Sequence, residues 1–413
     1  MSEVYDHYLQ HWLRKFIKTL PYNERLQLRN LALCNKITMQ ERPVFLLSNG
    51  KSSLFFGQVT CKNSFACPCC SARIMAKTRT DIACCLDSLK EDYYAFMVTF
   101  ALPHLKFMSC KETTDILYDT WRSCFINKNK NRKNPDGSFR PTSPINSWYH
   151  DNEITYNVRV SEYTWGENGW NPHFHVLFWV PRKYSEQVYQ METEIEKYWI
   201  KTAERKTKEY WQKNNLHGDS ENQAKLLQQV FWARSAGYSV KFSKYEAKSS
   251  DYICGWGADS ELTGNYQKQA SHENHYTPYQ ILEKAANGDE EFAQLYREFM
   301  LNVTRKPVHR RKEFSKGLLQ IAIKFKNTKA FKEVIKKKDA QKTEWKVVWW
   351  FSAEQWRELC DLNYNSPILS NILWLAAHHP LLLSEYLSVY GISAPKYQHL
   401  WQESVEKVFN NVA

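Results

Sequence analysis

Two histidines separated by one residue, His173 and His175, stand at the head of an apolar run that ends at Val180. Successive side chains of a strand point to opposite faces, so this pair projects from one face and Phe174 from the other. Two imidazoles one pleat apart form a ready chelate for a divalent metal. Upstream, residues 154–164 alternate with period two, and Gly166-Glu167-Asn168-Gly169 has turn composition. A hairpin centred on that turn brings Glu162 opposite His173, on the same face. One carboxylate and two imidazoles then converge, with positions left for a substrate oxygen. The set suits Mg2+ or Mn2+ carrying a phosphate, and imidazole would also accept Zn2+. The alternative is two core histidines bonded to backbone carbonyls, which leaves the matching carboxylate unexplained.

A metal that polarises a phosphodiester still needs an attacking group. Residues 244–257 supply Tyr245 and Tyr252, with Lys248 between them. A phenolate that attacks phosphorus displaces a 3′-hydroxyl and conserves the bond energy in a phosphotyrosine. A neighbouring lysine stabilises the phenolate or orients the phosphate. Most tyrosines in a tyrosine-rich chain simply pack, and only the position after the histidine hairpin raises these two.

The chain has 11 cysteines, an odd number, so at least one is outside any intrachain disulfide. Cys67 and Cys70 have the CxxC spacing of a zinc knuckle, with Pro68 tightening the turn between them. Cys61 offers a third ligand and Cys34 a fourth, making structural Zn2+ the expected occupant. Reduced, unliganded thiols are the alternative.

Lys and Arg number 56 against 44 acids, a net charge of +12. Residues 304–346 hold 15 Lys/Arg and 4 Asp/Glu, so this segment carries +11 of it. Arg305, Lys306, Arg310, Arg311 and Lys312 lead the segment and are the expected DNA contacts, since cations track phosphates and the plentiful aromatic rings can stack on unpaired bases. No apolar run reaches membrane-spanning length, and the first residues do not begin a secretory signal, so no membrane partner and a cytoplasmic location are expected.

The elements that must position these residues follow an α+β order. A helical stripe covers residues 5–20, a helix runs from Arg73 to Leu89, and a strand covers residues 93–100. A helix over 113–127, a polar loop over 127–147, the hairpin, and a long helix over 185–212 come next. A strand at 235–242, a short helix at 249–256 and a helix start at Thr277-Pro278 complete the core. This predicts one antiparallel sheet with flanking helices. Three consecutive domains are expected: 1–90, an N-terminal helical segment with the cysteine knuckle; 91–300, the metal-bearing domain; and 301–413, the basic segment and a helical C-terminal lobe.

These motifs carry a resemblance. Residues 96–104 (Phe-Met-Val-Thr-Phe-Ala-Leu-Pro-His), Glu162-Tyr163-Thr164-Trp165 with 169–175, and 256–264 followed by 276–282 resemble rolling-circle replication initiators of small, Gram-positive-type plasmids. Those proteins belong to the HUH endonuclease superfamily. The resemblance covers roughly residues 60–320, and the cysteine knuckle with Arg73 resembles that family's N-terminal zinc-type element. It implies a ferredoxin-like core and metal held by Glu162, His173 and His175. It also implies nicking of plasmid origin DNA, single-stranded or hairpin, through a 5′-phosphotyrosine, with a host helicase and a DNA polymerase as partners.

Two departures stand out. The family's nucleophile usually sits in Tyr-x-x-Lys; Tyr245 keeps the lysine as Lys248, whereas Tyr252 has Gly255 there but the matching distance to Trp256-Gly257-Ala258-Asp259. Several initiators also place a glutamate four residues before the tyrosine, where this chain has Lys241 or Lys248. Other readings are an HUH-type single-strand transposase, a mobilisation relaxase, whose tyrosine usually precedes the histidines, and a non-enzymatic, zinc-stabilised DNA-binding regulator. A small-molecule hydrolase would leave the basic segment unexplained.

Overall fold

A computed structural model of the chain describes residues 3–38, 42–125, 134–138, 140, 143–232, 239–243, 246–247, 274–305, 311–329, 331–332, 345–363 and 367–393. Its architecture is α+β, with two antiparallel sheets and many helices. The described strands are β1 (Val44–Ser48), β2 (Ser53–Phe56), β3 (Tyr93–Ala101), β4 (Tyr156–Gly166), β5 (Gly169–Pro181), β6 (Val240–Phe242), β7 (Lys312–Phe314) and β8 (Lys346–Phe351). Unlike the three consecutive segments expected, the compact units are discontinuous in sequence. One comprises Met1–Ile74, Ile281–Val308 and Lys329–Ala413; the other comprises Met75–Gln280 and His309–Thr328.

The second unit is built on a five-stranded sheet in the order β6-β3-β5-β4-β7. Its centre is the long hairpin β4–β5, closed by Glu167-Asn168, with Gly166 paired to Gly169. Gly169 has φ +85°, a conformation that suits glycine. One face of this sheet carries Phe96, Val98, Phe100, Phe174, Val176, Phe178, Val240 and Phe242 into a common apolar core. That face is covered by helices Cys110–Phe125, Pro144–Asp151, Glu192–Asn214 and Ser220–Trp232, which contribute Trp121, Trp148, Trp199 and Val230. On the opposite face the end of β5 nearest the turn stays partly open: Asn171, His173 and His175 are half-buried between buried Pro172, Phe174 and Val176. Period-two alternation therefore sends the aromatic anchors inward and leaves the imidazoles at a surface.

Two expectations shift here. The segment read as loop to residue 147 ends earlier, because Ser143 caps a helix over Pro144–Asp151 by accepting from the Asn146 N–H. Trp148 of that helix is fully buried against Phe96, Phe178 and Phe242, and its Nε1 donates to the Val188 carbonyl at 2.8 Å. Trp148→Ala should cost about 3–5 kcal/mol by cavity formation, measurable as a lowered urea midpoint. The helix expected over 185–212 begins at Glu192, after two 3-10 turns. The strand expected over 235–242 is described only as Val240–Phe242, and the helix expected over 249–256 lies outside the described residues. Thr277 does cap the helix Pro278–Ala286, exchanging hydrogen bonds with Gln280.

The first unit corrects the view of both chain ends as helical. Its three-stranded sheet, β2-β1-β8, pairs an N-terminal hairpin with a strand some 300 residues later in the chain. Val44, Leu46, Phe55, Phe351, Trp356, Ile372 and Leu373 form its apolar core. Ser352 caps the helix Ala353–Leu362 in a reciprocal capping box with Gln355. Among the described residues, no helix is long and apolar enough to cross a membrane.

Candidate metal centres

The hairpin register places Glu162 directly opposite His173, as the alternation predicted. The Glu162 Oε2 lies 3.1 Å from His175 Nε2 and 3.5 Å from His173 Nε2. The two rings stand 5.0 Å apart, nearly perpendicular, so both Nε2 atoms face one point. One ligand atom from each of the three residues lies within 4.8 Å of the others. Glu162 Oε1 is buried with no hydrogen-bond partner. Burial alone would push this carboxyl up, but the charge of His175 and the hydrogen bonds of both imidazoles outweigh it and hold Glu162 well below the usual carboxylate range.

Neighbouring groups orient both rings. His173 Nδ1 donates to the Asn171 carbonyl at 3.1 Å, so a metal that displaced the Nε2 proton now facing Glu162 would meet the Nε2 lone pair. His175 Nδ1 lies 2.9 Å from Thr99 Oγ1, and Thr99 is paired with His175 across β3–β5. With Nδ1 donating to that hydroxyl, the His175 Nε2 is likewise a free ligand. Thr99→Val should weaken divalent-metal binding by about 10- to 100-fold, with Thr99→Ser restoring it, as read by calorimetric titration. Nothing in the alternating pattern singled out Thr99; only the β3–β5 pairing does so.

The second cluster is Cys34, Cys61, Cys67 and Cys70. Cys34 Sγ lies 3.5 Å from the Sγ atoms of both Cys67 and Cys70, and Cys61 Sγ lies 3.6 Å from that of Cys70. Four thiolates about 2.3 Å from a central zinc would have edges of about 3.8 Å, so the donor set fits a tetrahedral ion of that kind. Backbone N–H groups of Cys61, Asn63 and Cys70 donate to the sulfurs of Cys34, Cys61 and Cys67 at 3.3–3.4 Å, a pattern that favours thiolates. Hydrogen bonds from Cys34, Cys61 and Cys67 hold the Cys70 thiol far below its usual range, while burial pushes the Cys67 thiol well up.

Local structure explains the turn. Asn63 Oδ1 accepts from the Phe65 and Ala66 N–H groups at 2.9 and 2.8 Å, and Pro68 opens the helix Pro68–Leu89 directly from the CxxC. Gln10 and Tyr296 buttress the loop: Gln10 Oε1 accepts from Cys67 Sγ while that sulfur is a thiol, and the Tyr296 hydroxyl donates to the Ala66 carbonyl at 2.8 Å. Sequence spacing did not reveal either buttress.

Tyr245, Lys248 and Tyr252 lie outside the described residues, as do Lys306 and Arg310. Arg305 donates to Asn302 Oδ1 at 2.8 Å. Arg311, expected to contact DNA, is only 6% exposed, because it leads into edge strand β7 and its carbonyl accepts from the Ser161 N–H at 2.7 Å. Lys312 donates to Thr78 Oγ1 at 2.6 Å, and burial pushes its ammonium down. Lys312 pairs with Val160 and Lys241 with Thr99, so both lysines share a cross-strand row with His175. Lys241 is exposed on that face.

Compared with family models, curated proteins and solved structures, the chain matches none.

Proposed function

We propose that this chain is a plasmid rolling-circle replication initiator of HUH type, a DNA endonuclease and strand-joining enzyme. The observation that carries the reading is the convergence of Glu162, His173 and His175 at the open end of a central antiparallel strand pair, with an unpartnered carboxylate oxygen. Those three side chains would hold Mg2+ or Mn2+, which when bound would withdraw charge from the scissile phosphodiester. The Asn171 carbonyl holds His173 Nδ1 as a donor, and Thr99 Oγ1 stands where it can accept from His175 Nδ1. Lys241, exposed in the same row as His175, offers a cation to a phosphate oxygen of the strand.

Tyr252 or Tyr245 would attack phosphorus, with Lys248 beside it. The bond from phosphorus to the 3′-oxygen breaks as the phenolic oxygen bonds to phosphorus. The products would be a tyrosyl 5′-phosphate and a free 3′-hydroxyl that primes synthesis. Attack of a later 3′-hydroxyl on the phosphotyrosine would rejoin the strand and release the tyrosine. The partners would be single-stranded or hairpin origin DNA, a host helicase and a DNA polymerase, in the cytoplasm. The net charge of +12 favours a polyanionic substrate.

The cysteine cluster favours one second reading, a zinc-stabilised DNA-binding regulator without catalysis. Incubation with supercoiled parent plasmid and Mg2+ or Mn2+, followed by peptide mapping, separates the two. A covalent 5′ adduct on Tyr252 or Tyr245 that EDTA prevents supports the nuclease. Tight origin binding with neither nick nor adduct supports the regulator.

A further inference from the structure

We infer that the DNA strand crosses the five-stranded sheet at right angles to its β-strands, along the row Lys241–Thr99–His175–Val160–Lys312, and that Lys241 and Lys312 each hold a phosphate, one on either side of the scissile one. This inference rests on the nuclease reading above and adds to it the course of the substrate and a second phosphate contact.

The row is set by register. Lys241 pairs with Thr99, Thr99 with His175, His175 with Val160, and Val160 with Lys312. Directly paired residues share a face, so both lysines stand on the face that presents the imidazoles. Neighbouring strands lie about 4.8 Å apart, so each lysine Cα is about 10 Å from that of His175, and the two are on opposite sides of it. A flexible four-carbon stem lets each ammonium reach back toward the centre.

The same face closes immediately beyond the row. Met97, Leu177 and Val158, the next residues on that side away from the hairpin turn, are 8%, 0% and 0% exposed. A nucleic-acid strand seated at the metal cluster therefore has no course along β5 in that direction. The row itself is reachable: Lys241 is exposed, and Thr99, His175 and Lys312 are partly so. Val160 is buried and forms a low apolar floor between the longer side chains of His175 and Lys312.

Both ends of the row are cationic. Lys312 Nζ donates one of its three N–H groups to Thr78 Oγ1 at 2.6 Å, which positions the ammonium and leaves two donors. Burial pushes that ammonium down; Asp81 acts against this, while Lys77 and Lys326 add to it. The Asp81 carboxylate is itself engaged by Lys326 at 2.6 Å, so cations outnumber the acid at this end. Glu313, next along β7, points to the other face and pairs with Arg159. A phosphate oxygen beside Lys312 would offset the excess of positive charge.

The test uses the full-length protein, Mn2+ and single-stranded origin oligonucleotides in which one phosphate at a time, on either side of the mapped nick, is replaced by an uncharged methylphosphonate. Wild-type nicking should slow by at least about fivefold at one position 5′ of the nick and at one position 3′ of it. Lys241→Met should silence one of these positions and Lys312→Met the other, with the remaining nicking still metal-dependent. Each variant should also lower the slope of log affinity against log salt by about 0.7, and arginine at either position should restore both readouts. If Lys312→Met melts early, Lys241→Met at its exposed edge position carries the test by itself. Interference confined to one side of the nick, or two-sided interference that Lys241→Met leaves unchanged, would overturn the path while leaving the nuclease intact. Absence of metal-dependent product from every oligonucleotide, the unmodified one included, would instead bring down the nuclease reading, and the path with it.

Discussion

His173→Ala is expected to lower metal-dependent nicking by at least about 10²- to 10³-fold while leaving the chain folded. A bound divalent ion contributes several kcal/mol to a phosphoryl-transfer transition state, and each 1.36 kcal/mol is a factor of ten. The imidazole is one of three candidate ligand groups and reaches the cluster from the open face of β5. The packing of β5 rests instead on Phe174, Val176 and Phe178, which point into the core and are untouched by the change. The far-ultraviolet spectrum and melting profile should therefore match the wild type, whereas Mn2+ binding followed by electron paramagnetic resonance should weaken sharply. Wild-type nicking by His173→Ala, with metal binding unchanged, would refute the role assigned to the cluster. Glu162→Gln should give a similar loss, because the neutral amide keeps the shape but removes the charge that both imidazoles face.

Cys70→Ser is expected to release one zinc per chain and unfold the unit that contains the cysteine cluster. Cys70 Sγ is within 3.6 Å of two other cluster sulfurs, so its loss opens the site rather than trimming its edge. Structural zinc sites contribute about 10–16 kcal/mol, as large as the whole stability of a typical domain, about 5–15 kcal/mol. A strong chelator should act like the substitution: calorimetry should show one transition lost or moved far down, and atomic absorption should show the metal released. The other unit has its own aromatic core and should keep a separate melting transition. Undiminished stability of Cys70→Ser, with no metal in the wild type, would identify the cluster as reduced structural thiols.

The alternation along residues 154–180 was enough to place His173 and His175 on one face and, through the Gly-bounded turn, to set Glu162 opposite His173. Two-residue periodicity and turn chemistry are local properties, so they survive in the linear pattern. The CxxC and the capping chemistry of Thr277 were legible for the same reason. The pairing of residues 44–56 with 346–351 was not, because a strand of four to six residues shows little periodicity and its partner lies far away in the chain. The hold of Thr99 on His175 and the burial of Arg311 belong to the same class. Each depends on which distant segments pack together, a choice made by the apolar cores of the two units. The sequence by itself determined that Glu162, His173 and His175 share one side of the hairpin. Tertiary structure decided what surrounds them, because non-local pairing leaves no period in the chain that encodes it.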